Sequence, residues 1–186
     1  MKPIRLKQVF SRDEIKRRVA EMGREIGKAL TPDERPLAVV VLQGAFVFAA
    51  DLLRQLPEEL GIEVGFLRCD SYGMGTKSSG RVVLLQDLDA RLDLHDRTVL
   101  LIDDIMDTGL TLDYLVKHLE SRGAGRIRTC VLLERKNPDG ETTSAPKFVG
   151  FKVGDGFFVG YGLDYGDRYR NLPDLSVLEE ETQGHG

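Results

Sequence analysis

Apolar and polar positions along the chain repeat with two periods, and each switch of period marks an element. Residues 11–30 follow the helical period, with Ile15, Val19, Met22 and Ile26 on one stripe among charged neighbours. Ser11 three residues before Glu14 makes a capping box, and Phe10 with Ile15 suits a hydrophobic staple. Residues 37–42 are an unbroken apolar run, the pattern of a strand covered on both faces as in a parallel sheet. Gln43, Gly44 and Ala45 turn the chain, and Phe46, Ala49, Ala50, Leu53 and Leu56 carry an amphipathic helix. Residues 62–69 and 81–86 predict two more strands. A second buried run, residues 99–102, is followed by Leu112, Leu115, Val116 and Leu119 at helical spacing. Residues 126–133 give a further parallel strand that ends in Glu134, Arg135 and Lys136. Residues 148–151 and 157–161 are short strands, and no element is assigned before residue 11 or after residue 161.

Size and charge narrow the picture. The 186 residues suit one domain with a real core. Lys plus Arg number 26 against 30 Asp plus Glu, a net charge of −4, and nonspecific nucleic-acid binding needs a basic surface instead. Cys69 and Cys130 lack metal-ligand or redox-motif spacing, so buried thiols in a reducing compartment are expected. No apolar run reaches transmembrane length, and no apolar signal core follows Lys2 and Arg5. A soluble, cytoplasmic protein that does not bind membranes is expected. Residues 179–186 read as a disordered tail.

Chemistry concentrates in residues 98–111. Asp103 and Asp104 stand at the carboxyl end of a buried strand, where open α/β sheets bind ligands. Asp107, Thr108, Gly109, Leu110 and Thr111 then turn into a helix, whose free N–H groups and dipole favour an anion. Thr108 and Thr111 add hydroxyl donors. The string lacks the Gly-Lys-Ser/Thr of a nucleotide P-loop and the three glycines of a dinucleotide turn. A monophosphate beside a sugar diol would suit it. Asp107 taken alone is a helix N-cap, but capping requires no acidic pair on the strand before it. Gln43 and Gly44 form a second candidate anion loop. Residues 70–80 hold three glycines and four Ser or Thr, which suits either a long hairpin connection or a lid.

Residues 98–111 closely resemble the phosphoribosyl-pyrophosphate motif of the type I phosphoribosyltransferases. Leu42-Gln43-Gly44-Ala45, Ser71-Tyr72-Gly73, Leu132-Leu133-Glu134-Arg135, residues 158–165 and residues 168–173 extend the resemblance over nearly the whole length, towards the hypoxanthine/guanine branch. The resemblance implies an α/β fold, a parallel sheet flanked by helices with a small hood built from the two chain ends. It also implies transfer of the 5-phosphoribosyl group from its pyrophosphate to a purine, with Mg²⁺ as cofactor and a dimer or tetramer as the assembly. Asp103 and Asp104 would hold the ribose hydroxyls, in part through metal-bound water, or one of them would face inward, since neighbouring strand residues point oppositely. Asp107, Thr108, Gly109, Leu110 and Thr111 would hold the 5-phosphate. Asp107 would also take, or bond to, the proton on the purine imidazole nitrogen.

Pyrophosphate falls to Gln43, Gly44, Ser71, Tyr72 and Arg170 on the same resemblance. Asp164 would bind a second Mg²⁺. Phe157 would stack on the purine, the Phe158 backbone would read its edge, and Arg135, or Lys136 if the register slips by one, would donate to the six-oxygen. Two departures from the family pattern stand out. Gln43 replaces a basic residue, and Arg135 replaces a lysine. Two other functions remain on the sequence: the same fold acting on xanthine or another base, and a regulatory protein that senses phosphoribosyl pyrophosphate.

Overall fold

A computed structural model describes residues 4–72, 81–135 and 145–180. Its elements in chain order are β1 (Ile4–Phe10), α1 (Arg12–Ala29), β2 (Leu37–Leu42), α2 (Phe46–Leu53), β3 (Glu63–Tyr72) and β4 (Arg81–Gln86), followed by β5 (Thr98–Met106), α3 (Leu110–Ser121), β6 (Arg126–Arg135), β7 (Phe148–Val153), β8 (Phe158–Val159) and β9 (Leu175–Glu180). Six strands form one sheet in the order β4-β3-β2-β5-β6-β7, parallel throughout except for the edge strand β4. A second, antiparallel sheet, β1-β9-β8, is the hood that joins the two chain ends.

The unbroken apolar runs become central strands because both faces of the sheet are covered. Ala38, Val40, Leu100 and Ile102 face α1 and α2, whereas Val39, Val41, Val99 and Leu101 face α3. α1 starts at the predicted capping box, with the Ser11 hydroxyl accepting from the Glu14 N–H and Glu14 returning a carboxylate to the Ser11 N–H. Ile15, Val19, Met22 and Ile26 are all buried, so the predicted stripe is the packed face. Arg18 reaches from α1 to the carbonyls of Val149 and Gly150 and pins the helix to the sheet's β7 edge.

The structure shifts several boundaries. α2 stops at Leu53 and does not run on to Leu56, because Pro57 excludes its predecessor from the helical region. β5 does not end at Ile102 but continues through Asp103 and Asp104 to Met106, since its peptide groups still pair with β6 (Asp103 beside Val131, Ile105 beside Leu133). β1 and β9 lie outside every sequence assignment. They pair with each other, and Glu179 and Glu180 belong to β9, opposite Arg5 and Ile4. The expected disordered tail therefore begins too early. Ladder pairing and a Lys7–Glu179 ion pair of 3.1 Å order a stretch whose composition alone argues for solvent. Residues 181–186, the loop at 73–80 and Lys136 lie outside the described residues.

Glu34 clamps the edge of the sheet remote from the strand ends that carry the carboxylates. It accepts from the Thr98 hydroxyl at 3.2 Å and faces Arg126 at 3.1 Å and Arg128 at 3.7 Å. Burial pushes its pKa up, but the Thr31 backbone, the Thr98 hydroxyl and the Arg128 charge outweigh that and hold it below the ordinary value. A depressed carboxylate stabilises the fold above its unfolded pKa, about 4.3, and ceases to do so as pH falls through the folded value. Glu34→Gln should lower the unfolding midpoint at pH 7 by a few degrees, with the difference shrinking below about pH 4. Thermal melts across pH 3–8 test this, and a pH-independent difference would remove the charge from the explanation.

Candidate active site

Two turns at the carboxyl ends of neighbouring parallel strands build the site. β2 ends at Leu42, whose peptide bond to Gln43 is cis, and Gln43 and Gly44 lead directly into α2. β5 carries Asp103 and Asp104 near its end, and residues 107–109 then lead into α3. The two turns touch: a Cβ on Gly44 would lie 1.6 Å from Asp104 Oδ2, so only glycine permits this approach. On the other side, a Cβ on Gly162 would lie 2.3 Å from the Gly44 carbonyl oxygen. Gly44 is thus held between a core strand and the hood.

A cavity of about 650 Å³ opens over these turns, lined among others by Gln43, Gly44, Asp103, Asp104, Thr111, Asp164 and Arg170. Although strand neighbours point oppositely, both acids of the pair reach it, because the cavity wraps around the strand end. Asp103 Oδ1 accepts from the Asp104 N–H and Asp104 Oδ1 from the Ile105 N–H, both at 2.9 Å. Burial, with the neighbouring Asp104 charge, raises the pKa of Asp103 well above the ordinary carboxylate value. Burial raises Asp104 as well, against the opposing pull of its hydrogen bonds and of Arg170. Two carboxyls held this way favour a cation or a hydroxyl donor arriving from the cavity.

Arg170 and Asp164 form the hood side. Arg170 Nη2 lies 2.8 Å from Asp164 Oδ1 and 3.5 Å from Gln43 Oε1, while its Nη1 donates to the Gly162 carbonyl at 2.9 Å. Gln43, which sequence comparison left short of a charge, therefore contacts the very arginine assigned to the same ligand. Arg68, Asp70 and Asp167 also line the cavity and were not singled out in the sequence. Arg68 stands within β3 beside Leu42, the last residue of β2, so its place in the strand order was the available signal. Ser71 and Tyr72 sit on the β3 backbone, with their side chains outside the described residues.

The turn into α3 rejects the helix-cap alternative for Asp107. The N-cap is Gly109, in the left-handed region at φ +82°, and no side chain caps the helix. Thr108 Oγ1 faces the Leu110 N–H at 3.5 Å, a marginal bond. The first-turn N–H groups are accordingly not capped by Asp107, and Thr111 lines the cavity.

Asp107 instead pairs with Arg135, Oδ1 to Nε at 3.1 Å, across the ends of β5 and β6. Arg135 Nη2 donates to the Gly156 carbonyl at 2.9 Å, and its buried Nε lacks any bond of proper hydrogen-bond geometry. Glu134 turns away from Arg135 to meet Lys152 at 3.2 Å, as strand alternation requires. Past Gly156, Phe157 is 52 % exposed and meets Tyr165 edge-on, with centroids 5.4 Å apart, whereas Phe158 is buried in β8. The exposed Phe157 ring thus follows directly on the Gly156 carbonyl that Arg135 holds.

Known proteins share this arrangement. Residues 6–166 match the phosphoribosyl transferase domain family. The hypoxanthine-guanine phosphoribosyltransferase of Bacillus subtilis is 44% identical over 174 residues, 93% of both chains. That of Aquifex aeolicus is 42% identical over 183 residues, 97% of this chain and 100% of its own. A crystal structure of the Bacillus anthracis hypoxanthine-guanine phosphoribosyltransferase superposes with a TM-score of 0.83 at 31% identity, covering 95% of this chain and 99% of that one. Strand order and phosphate turn carry the same conclusion as these likenesses: the chain belongs to the phosphoribosyltransferase family, in its hypoxanthine-guanine branch.

Proposed function

We propose that this chain transfers the 5-phosphoribosyl group of phosphoribosyl pyrophosphate to hypoxanthine or guanine, releasing pyrophosphate, as a purine-salvage enzyme. The observation that carries the base choice is Arg135. An arginine presents donors only, and this one sets Nη2 on the Gly156 carbonyl and Nε 3.1 Å from the Asp107 carboxylate. A six-oxo purine lying on Phe157 would bring an acceptor to the same guanidinium. The Asp107 carboxylate is 64% exposed beside that guanidinium, placed to accept the proton that the imidazole nitrogen loses on glycosylation. The N–H groups of Thr108 to Thr111 would hold the 5-phosphate at the α3 N-terminus, and Asp103 and Asp104 the ribose diol. Gln43, Gly44, Arg170, Ser71 and Tyr72 would hold pyrophosphate.

As the ribosyl carbon becomes cation-like, the chain's task is to align two partners and stabilise separated charge. The donor set suits Mg²⁺. Asp103, Asp104 and Asp164 offer hard oxygens around one cavity, yet no group of three His, Cys, Asp or Glu among the described residues would hold a metal alone. Mg²⁺ typically keeps waters and takes phosphate oxygens as well, so bound pyrophosphate would complete the shell and the ion would offset its charge. The two unpaired cysteines support work in a reducing cytoplasm, and no helix among the described residues is long and apolar enough to cross a membrane. Val64 and Phe66, exposed side by side on β3, support a homo-oligomer, dimer or tetramer.

Initial rates with a panel of bases test the assignment. Adenine places an amino group before donors and leaves them unpaired, a loss of ~1–3 kcal/mol or more. Hypoxanthine and guanine should therefore be used and adenine essentially refused. Adenine within tenfold of hypoxanthine in kcat/KM would overturn the base slot. Xanthine is the second substrate worth measuring, because the planar fork of Arg135 fixes its donors in place as a lysine would not.

Asp107→Asn should lower kcat by ~10²–10⁴, the usual worth of a general base, with little change in phosphoribosyl-pyrophosphate binding. An unaltered kcat would reduce Asp107 to a partner of Arg135. Activity should likewise disappear in chelator and return with added Mg²⁺, and full turnover in metal-free buffer would contradict the cation assignment.

A further inference from the structure

We infer that Asp51, on the second turn of α2, is a positioning residue for the pyrophosphate side of the site, acting through the phenol of Tyr161. This rests on the assignment of Asp164 and Arg170 to pyrophosphate and its metal. The Tyr161 hydroxyl donates to Asp51 Oδ2 at 2.7 Å, a bond that joins a helix of the core to the hood across 110 residues of sequence. The Tyr161 residue is 7 % exposed, and burial pushes its phenol above the ordinary range, so it remains a donor at any working pH. Its backbone is in the left-handed region at φ +48°, unusual for a bulky aromatic residue.

That conformation serves the tight turn around it. Gly160 and Leu163 exchange backbone hydrogen bonds at 3.0 Å, the Tyr161 N–H donates to the Leu172 carbonyl at 2.8 Å, and the Gly162 N–H donates to the Arg170 carbonyl at 3.0 Å. Asp164 and Arg170 leave this turn on either side of a small loop and meet each other. Gly162 presses on the Gly44 carbonyl, so the turn also fixes one wall of the Gln43–Gly44 loop. Asp51 lies on the helix that the same loop starts. One carboxylate thereby holds both walls of the pyrophosphate region in register, although it lies outside the 650 Å³ cavity. The second oxygen of Asp51 is engaged by Arg54, three residues along the helix.

Steady-state kinetics on a small set of variants tests this. Tyr161→Phe removes only the donor, and Asp51→Ala removes the acceptor together with the exposed pair to Arg54. Each should raise KM for phosphoribosyl pyrophosphate, and for pyrophosphate in the reverse reaction, about tenfold, the order expected of a bond to a charged group. KM for hypoxanthine should change less than twofold. The double variant should be no worse than either single one, as for two ends of one bond. Asp51→Asn keeps an acceptor oxygen and should restore most of the affinity. Arg54→Ala, which removes the exposed ion pair, should leave the kinetics unchanged.

Equal loss for both substrates, or unchanged pyrophosphate KM in Tyr161→Phe, would reduce the bond to a general brace of the hood. Arg170→Ala separates this from failure of the parent assignment. If it too leaves pyrophosphate KM unchanged, the pyrophosphate assignment fails and the inference with it. If it raises KM while Tyr161→Phe does not, the positioning role alone is wrong.

Discussion

The site depends on one steric constraint, the absence of a side chain at Gly44. Its backbone lies so close to Asp104 that a Cβ would overlap the carboxylate, and its carbonyl oxygen lies so close to Gly162 that a Cβ there would overlap it in turn. Three independent segments meet there: the acidic end of a core strand, the turn that starts α2, and the hood turn just before Asp164. Because packed atoms cannot give way by an ångström, the positions of the three are fixed relative to one another. The diol and pyrophosphate subsites proposed above draw on these same three segments, so the distances between them would follow from this contact.

The opposite, base-binding side is governed by charge rather than by packing. Arg135 and Asp107 neutralise each other at 3.1 Å across adjacent strand ends. A guanidinium can satisfy the Gly156 carbonyl, a carboxylate and a ligand oxygen at once, in one plane; an ammonium has no such fork. Arginine at this position is therefore a change of geometry with charge conserved. It keeps the Asp107 carboxylate in contact with a cation at the ends of two neighbouring strands.

Much of this was legible in the sequence, for identifiable reasons. The stripe of α1 was evident because burial on one face imposes a period of 3.6, and β2 because a strand covered on both faces has no polar positions to alternate. That Asp103 and Asp104 would face a cavity was legible because carboxylates on a buried strand end have no structural use. What escaped was set by pairing across long sequence distances. The strand of Leu175–Glu180 has an acidic end, and only β1 opposite explains its order. The identity of the α3 cap was also invisible, since Asp107 and Gly109 are both common before helices, and which one caps depends on where Arg135 draws the carboxylate. Arg68 and Asp51 carry no motif, and only the strand order and the hood contact bring them near the site.

The hood closes the chain on itself, and this makes the two sheets unequal in what they wait for. Phe158 belongs to a two-residue strand whose sheet partner is β9, and β9 in turn pairs with β1. The large sheet, with its acidic strand end, is complete in sequence by residue 153. Its ladder needs nothing from Leu175–Glu180. The hood sheet needs that strand to find β1, where Ile4 lies opposite Glu180, and pairings between segments so far apart in sequence are the slow ones to form.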